Sequence, residues 1–74
     1  MLRIYVDFNM IDEAGNIHIN TYYHRSSASK SDLLSQLFEG REAIFYDEEI
    51  EIDVLLKNDG DLWYGVPTSE VRDL

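Results

Sequence analysis

The densest group of chemically active side chains in this sequence is a run of five carboxylates within seven consecutive positions. They are Asp47, Glu48, Glu49, Glu51 and Asp53. Carboxylates at this density can coordinate a cation, work as a general acid and base, or attract a basic surface electrostatically. The choice among these depends on whether the backbone makes the side chains converge or spreads them along one face.

The spacing of the carboxylates argues against a metal site. The run Asp47–Asp53 lacks the regular Asp/Asn spacing and central glycine of a calcium-binding loop, and side chains on one extended strand diverge. His18 and His24 would lie about 20 Å apart along a strand, so they cannot share a metal ion. No glycine-rich phosphate loop or nucleophile elbow is present in the sequence. We therefore predict no catalytic residue, no metal, no cofactor and no enzymatic activity.

The negative charge extends beyond this run. Positions 39–61 hold nine carboxylates and two basic residues, and so carry −7 of the total charge of −9. Outward side chains of a strand recur about every 6.8 Å, which would set Glu49, Glu51 and Asp53 in a negative row. That spacing is comparable to every second phosphate of one DNA strand.

Such a row predicts docking on a protein partner with a basic patch. In its sharpest form, the protein is a nucleic-acid mimic that inhibits a DNA- or RNA-binding enzyme, with electrostatic attraction speeding association. The alternative is that the charge serves only to prevent edge-to-edge aggregation and to keep a small protein in solution.

A second candidate binding set is aromatic. A two-residue period places Tyr5, Tyr22 and Trp63 on faces opposite the apolar stripes, with Tyr46 as a further candidate. Exposed tyrosine and tryptophan are enriched at protein-binding hot spots, and they stack on single-stranded bases where a basic groove accompanies them. A third interpretation is that the rings cover the helix or a second small core.

The composition limits the classes of partner. A net charge of −9 disfavours duplex nucleic acid and anionic membranes, because binding to phosphates depends on lysine and arginine. The absence of cysteine excludes disulfides and thiolate chemistry. The sequence shows no secretion signal and no apolar run near the roughly 20 residues of a bilayer span. We expect a soluble, cytoplasmic protein that binds neither duplex nucleic acid nor membranes.

The elements that position these side chains begin with two strands. Apolar and polar residues alternate through positions 2–10 and again through 17–24, with a turn between them. An antiparallel hairpin that keeps both apolar sets on one face pairs Met10 with Ile17. Its outer-face pairs are Asn9 with His18, Asp7 with Asn20, Tyr5 with Tyr22, and Arg3 with His24.

A short helix of about three turns is predicted after the second strand. Its apolar side consists of Leu33, Leu34, Leu37 and Phe38. Ser29 and Asp32 have the spacing of a capping box, and Gly40 suits the left-handed conformation that ends a helix.

Three strands follow, in the sequences AIFY, IEIDVLL and LWYGV. The residues Asn58-Asp59-Gly60 suit a three-residue hairpin loop that pairs Leu56 with Leu62. This register leaves Leu55 and Trp63 together on the outer face.

After these strands, Pro67 stops the last of them because it lacks a backbone donor. Residues 68–74 are expected to form a helical turn that packs Val71 and Leu74 against the sheet or barrel.

The element order is therefore ββαβββ, in a single domain spanning residues 1–74. We expect a mainly β fold, either an SH3-like or OB-like barrel or a small curled antiparallel sheet with the helix packed on it.

The function expected from these features is that of a non-enzymatic acidic interaction module. Two other functions stay open. One is a single-stranded nucleic-acid-binding barrel that uses its aromatic face, and the other is a regulatory or structural subunit of an oligomer such as a homodimer.

Overall fold

A computed structural model of the chain describes residues 2–19, 35–60 and 62–74. The strands in these residues are β1 (Leu2–Tyr5), β2 (Ile17–His18), β3 (Glu42–Tyr46), β4 (Ile50–Asp59), β5 (Leu62–Pro67) and β6 (Arg72–Asp73). The predicted mainly β character is confirmed.

These strands form one mixed sheet in the order β1-β3-β4-β5-β2, and β6 pairs with the first residues of β4. β1 runs parallel to β3, whereas the other described pairs are antiparallel. The ladder of described strands is open, so a closed barrel is not confirmed. The expectation of a purely antiparallel sheet is wrong because β1 lies parallel to its neighbour.

β1 pairs with β3 and not with the strand that follows it in sequence. Tyr5 lies opposite Tyr46 in this parallel pair. The alternation continues to Val6, which is buried and donates its backbone N–H to the carbonyl of Tyr46 at 3.0 Å. The predicted antiparallel partners of Arg3, Tyr5 and Asp7 are residues 20–24, which lie outside the described residues, so those pairs stay a prediction.

Asp7 ends the regular alternation after β1. Its carboxylate accepts the N–H of Asn9 at 2.9 Å, and its carbonyl accepts the N–H of Met10 at 3.0 Å. A side chain that bonds to the backbone two residues later favours a turn over a continued strand. Residues 20–24 of the predicted second strand, with the outer-face pairs assigned to Tyr22 and its neighbours, lie outside the described residues.

A smaller hairpin forms beyond this turn, one residue out of the predicted register. Ile11 bridges to Ile17, and His18 donates its N–H to the carbonyl of Met10 at 2.9 Å. The Asp12 carboxylate sets the turn by accepting two backbone N–H groups at 2.9 and 3.0 Å. The expected pairing of Met10 with Ile17 is wrong because this turn fixes the register locally.

The central strands follow the predicted alternation. The buried core of the described residues consists of Ile4, Val6, Ile17, Ile19, Leu37, Ala43, Phe45, Ile52, Val54 and Leu56. Glu51 and Asp53 alternate with buried residues of β4 and so lie on the opposite face, as predicted. Burying each large apolar side chain contributes roughly 1.5–3 kcal/mol, which fixes the faces of the strands.

The β4–β5 hairpin has a different register from the predicted one. Asp59 pairs with Leu62, so the connection is shorter than the expected three-residue loop, and Leu56 lies opposite Gly65 instead of Leu62. Gly60 has the positive φ that its predicted role in the loop requires, 64°. The odd shift in register turns Gly65 inward. Because glycine has no side chain, the Phe45 ring can occupy the space beside it.

The segment after Pro67 is extended, so the predicted helical turn is wrong. β5 ends at Pro67 as expected. Pro67 lies opposite Val54 and Arg72 opposite Glu51, so three steps along β4 correspond to five along the other strand. The two additional residues form a bulge between β5 and β6.

Val71 and Leu74 are 52% and 61% exposed. They do not pack against the sheet as expected. Backbone hydrogen bonds to β4 and the side chain of Arg72 hold this segment in place.

The predicted helix is described only at its end. Ser35 and Gln36 are helical and Leu37 is buried in the core, whereas residues 20–34 lie outside the described residues. Gly40 has a φ of 88°, which agrees with its predicted left-handed conformation. Phe38 is exposed, contrary to its predicted place on the apolar side of the helix.

Candidate functional site

The outer face of β1, β3 and β4 gathers most of the predicted binding residues. Because Tyr5 lies opposite Tyr46 and Tyr46 opposite Glu51, these three side chains form a row across three strands. The Tyr5 and Tyr46 rings meet edge to face, with centroids 5.7 Å apart. The guanidinium of Arg3 lies over the Tyr46 ring at 4.9 Å, within the range of a cation–π interaction.

An ion-pair network covers the middle of this face. Glu51 accepts hydrogen bonds from Arg3 at 3.1 Å and from Arg72 at 2.8 Å, and Asp53 accepts one from Arg72 at 2.8 Å. The Glu51 side chain is only 17% exposed, so water screens its interactions less than those of a free surface carboxylate.

This network shifts the pKa values of Glu51, Asp53 and Arg72. Hydrogen bonds from Arg72, and then from Arg3, hold the pKa of Glu51 below its usual value. The hydrogen bond from Arg72 also lowers the pKa of Asp53, and the two carboxylates together raise the pKa of Arg72. Two members of the predicted negative row are therefore ionised and neutralised within the chain.

The turn between β3 and β4 uses its acidic residues in different ways. The Asp47 carboxylate accepts the N–H groups of Glu49 and Ile50 at 2.7 and 2.9 Å, so Asp47 stabilises the turn. Glu48 accepts a hydrogen bond from the Tyr5 hydroxyl at 2.7 Å. Glu49 is exposed, which makes its carboxylate the most accessible of the predicted row.

β6 pairs with β4 beside this turn. Asp73 pairs with Ile50, and Leu74 donates its N–H to the carbonyl of Glu49 at 2.9 Å. We call the three carboxylates of the turn the acidic end, which consists of Asp47, Glu48 and Glu49. The described ion pairs of Arg3 and Arg72 involve Glu51 and Asp53, whereas Glu49 is exposed.

The other two predicted aromatic residues do not join Tyr5. Trp63 is partly buried and packs against the core, so its predicted position on the outer face is wrong. The three-residue difference in hairpin register explains this, since an odd shift inverts every residue of β5. Tyr22 lies outside the described residues. A role of either residue in binding stays a prediction.

A smaller polar group lies on β2 and the turn before it. His18 Nε2 is 3.0 Å from the Asp12 carboxylate, and the His18 ring lies 5.7 Å from the ring of Tyr64. The hydrogen bond to His18, followed by that to the Asn16 backbone, lowers the pKa of Asp12. Sequence reasoning did not identify this pair, because it depends on the turn geometry.

Across residues 2–19, 35–60 and 62–74, no group of three or more His, Cys, Asp and Glu side chains is arranged to hold a metal ion. The described part of the chain also contains no helix with the length and apolar character needed to cross a membrane. The chain matches no family model, no curated protein and no solved structure.

Proposed function

We propose that this protein is a non-enzymatic interaction module whose acidic end binds a basic surface of a protein partner. The observation that carries the proposal is the separation of charge on the sheet. Arg3 and Arg72 neutralise Glu51 and Asp53 at the middle of the face, while Glu49 in the turn before β4 is exposed. The sharper prediction, a nucleic-acid mimic that inhibits a DNA- or RNA-binding enzyme, is a special case of the same proposal.

The charge of the chain supports rapid, salt-dependent association. A net charge of −9 gives a long-range attraction to a basic partner, and salt screens that attraction within about 8–10 Å at physiological ionic strength. Electrostatic steering acts mainly on the association rate. We expect the rate to fall by about tenfold or more when salt rises from about 50 to 500 mM.

We also propose that the sheet closes into an SH3-like or OB-like barrel and that the protein is cytoplasmic. The bridge between Ile11 and Ile17 supports the barrel, because it brings the chain that follows β1 beside β2 at the opposite edge of the sheet. The absence of cysteine is compatible with a reducing compartment.

Two charge-reversal variants test the location of the binding surface. Glu49→Lys and Glu13→Lys both change the net charge from −9 to −7, and both residues are exposed. Glu49 lies in the acidic end, whereas Glu13 lies in the turn before β2. The pair therefore separates a local contact from an effect of overall charge.

The partner would first be recovered from the native host at low salt and eluted with a salt gradient. Association rates of the purified partner with both variants and with the wild type are then measured across the same salt range. We expect Glu49→Lys to slow association several times more than Glu13→Lys. Equal rates for the two variants would exclude the acidic end as the docking surface.

An oligomeric subunit is a second candidate, favoured by the exposed apolar side chains. In the described part of the chain, the large apolar residues that are about half exposed or more are Ile11, Phe38, Leu62, Val71 and Leu74. Exposed apolar groups contribute to protein interfaces when they lie together. Sedimentation equilibrium tests this function, and a monomer at all accessible concentrations would contradict it.

The single-stranded nucleic-acid alternative has less support. Trp63 contributes to the core, and the Tyr5 hydroxyl is bonded to a carboxylate, which repels phosphates. Absence of oligonucleotide binding at low salt would eliminate it.

A further inference from the structure

Residues 68–74, which we call the strap, lie along the first half of β4 and include the bulge between β5 and β6. Thr68 donates its N–H to the carbonyl of Asp53 at 2.9 Å, and Leu74 donates to the carbonyl of Glu49 at 2.9 Å. Between these points, the N–H of Asp53 bonds to the Ser69 hydroxyl at 3.0 Å instead of a backbone carbonyl. The strap therefore completes the hydrogen bonding of this part of β4.

Apolar burial contributes little to holding the strap. Val71 and Leu74, its two large apolar residues, are 52% and 61% exposed. The central sheet, in contrast, is held by fully buried side chains such as Phe45 and Val54. Local stability follows apolar burial, so the strap is expected to open more easily than the central sheet.

Arg72 supplies the specific contacts of the strap. Its Nε and Nη2 atoms bond to Glu51 at 3.0 and 2.8 Å, and Nη2 also bonds to Asp53 at 2.8 Å. Its Nη1 atom lies 3.3 Å from the Ser69 hydroxyl, which ties the arginine to the bulge. A guanidinium that bonds to two carboxylates makes a specific charge-assisted contact. The backbone ladder between β6 and β4 is short in comparison, because β6 has only two residues.

We propose that the strap opens as a unit separately from the rest of the sheet and thereby controls the charge of the outer face. In the closed state, Arg72 bridges Glu51 and Asp53 while Arg3 also pairs with Glu51, so two cations balance two carboxylates. In the open state, Glu51 keeps Arg3, whereas Asp53 loses its ion pair with Arg72 and the edge of β4 becomes accessible beside the acidic end. This regulatory consequence rests on the proposed function, whereas the opening itself is a property of the free protein.

Open strand edges and paired carboxylates suit one kind of ligand. An extended basic segment with an arginine in the position of Arg72 would make the same backbone and side-chain contacts in its place. The strap is then an internal competitor for the binding of such a segment.

Amide hydrogen exchange of the full-length free protein tests the opening. The N–H groups of Thr68, Asp53 and Leu74 report on the strap, and the N–H of Leu56, which bonds to the Arg41 carbonyl at 2.8 Å, reports on the central sheet. We expect the N–H groups of Thr68, Asp53 and Leu74 to exchange at least about tenfold faster than that of Leu56. Their exchange rates should change little with urea, because opening of the strap alone exposes little surface. Progressive fraying would release Leu74 alone, whereas a strap releases Asp53 and Thr68 with it.

Two substitutions identify the contact that holds the strap. Arg72→Gln removes its side-chain ion pairs, whereas Arg3→Gln removes an ion pair of the same Glu51 from β1 without touching the strap. Arg72→Gln should accelerate exchange at Asp53 by roughly tenfold more than at Leu56, and Arg3→Gln should not do so. Raising salt from about 50 to 500 mM should also accelerate exchange at Asp53 relative to Leu56 in the wild type, because salt screens the ion pairs of Arg72.

The proposal is overturned if Thr68, Asp53 and Leu74 exchange only with global unfolding, or if Arg3→Gln accelerates them as much as Arg72→Gln. These measurements need no partner. If the strap opens but the acidic end binds no partner, the proposed function is refuted and the opening of the strap is not. If the strap does not open, this inference is refuted and the proposed function is not.

Discussion

Replacing Gly65 by alanine tests the packing at the centre of the sheet. Gly65 lies opposite Leu56 and faces inward. An added Cβ would be 2.6 and 2.8 Å from two ring carbons of Phe45 and 2.8 Å from the Cβ of Val54. These distances are well below the roughly 3.5–4.0 Å at which carbon atoms attract each other, so the neighbouring side chains must move.

The surrounding core gives them little room to do so. Phe45 and Val54 are both fully buried, so neither side chain can turn towards solvent. Overpacking of this kind costs about 1–3 kcal/mol, which lowers the melting temperature by about 4–24 °C in a domain of this size. A glycine-to-alanine change without a clash would instead stabilise the protein by about 0.4–1 kcal/mol, so the two cases differ in sign.

Urea unfolding of Gly65→Ala, Phe45→Leu and the double variant measures the effect. Leucine in place of Phe45 removes the ring atoms that clash, so the double variant should lose less stability than the sum of the single variants. The register expected from the sequence, with Leu56 opposite Leu62, places Gly65 on the outer face, where alanine is tolerated. An unchanged or increased free energy of unfolding for Gly65→Ala would therefore refute the register described above.

Two further predictions concern the ion pairs and the tryptophan. Because the folded-state pKa values of Glu51 and Asp53 are lowered, their stabilising contribution is present above the unfolded values near pH 4 and is lost as pH falls below them. The free energy of unfolding should thus fall more steeply with decreasing pH in the wild type than in Arg72→Gln. Parallel pH profiles of this free energy would contradict the prediction. Trp63→Ala should cost about 2–3 kcal/mol in urea unfolding, somewhat less than a fully buried aromatic residue, whereas a cost near zero would indicate an exposed ring.

The faces of the central strands could be predicted from the sequence because they depend on a local period. Ile52, Val54 and Leu56 recur at every second position of β4, and burial of this set turns Glu51 and Asp53 to the other face. No knowledge of the neighbouring strands is needed for that conclusion.

The choice and register of partner strands could not be predicted in the same way. The parallel pairing of Tyr5 with Tyr46 joins residues far apart in sequence, and no local pattern specifies it. The β4–β5 register depends on the close approach of Phe45 to Gly65, which is a packing constraint from a third strand. Sequence reasoning identified the left-handed conformation of Gly60 but predicted a longer loop, and this inverted β5 because one odd shift exchanges its two faces.

The candidate site shows the same division between local and distant information. The carboxylates of positions 47–53 form a continuous negative block only along the chain. In the folded protein, Arg3 and Arg72 come from outside that block and bind Glu51 and Asp53.

Charge counted along a sequence therefore overestimates the charge that a partner meets at the middle of the sheet, where Arg3 and Arg72 balance Glu51 and Asp53. A partner that senses the acidic end should respond to Glu49→Lys, whereas a partner that needs the whole row must first displace Arg72. The salt dependence of association separates these cases, since displacement of Arg72 becomes easier as salt rises while attraction to the acidic end becomes weaker. Association that slows continuously with salt supports the acidic end alone, and a rate that passes through a maximum would show that opening of the strap limits binding.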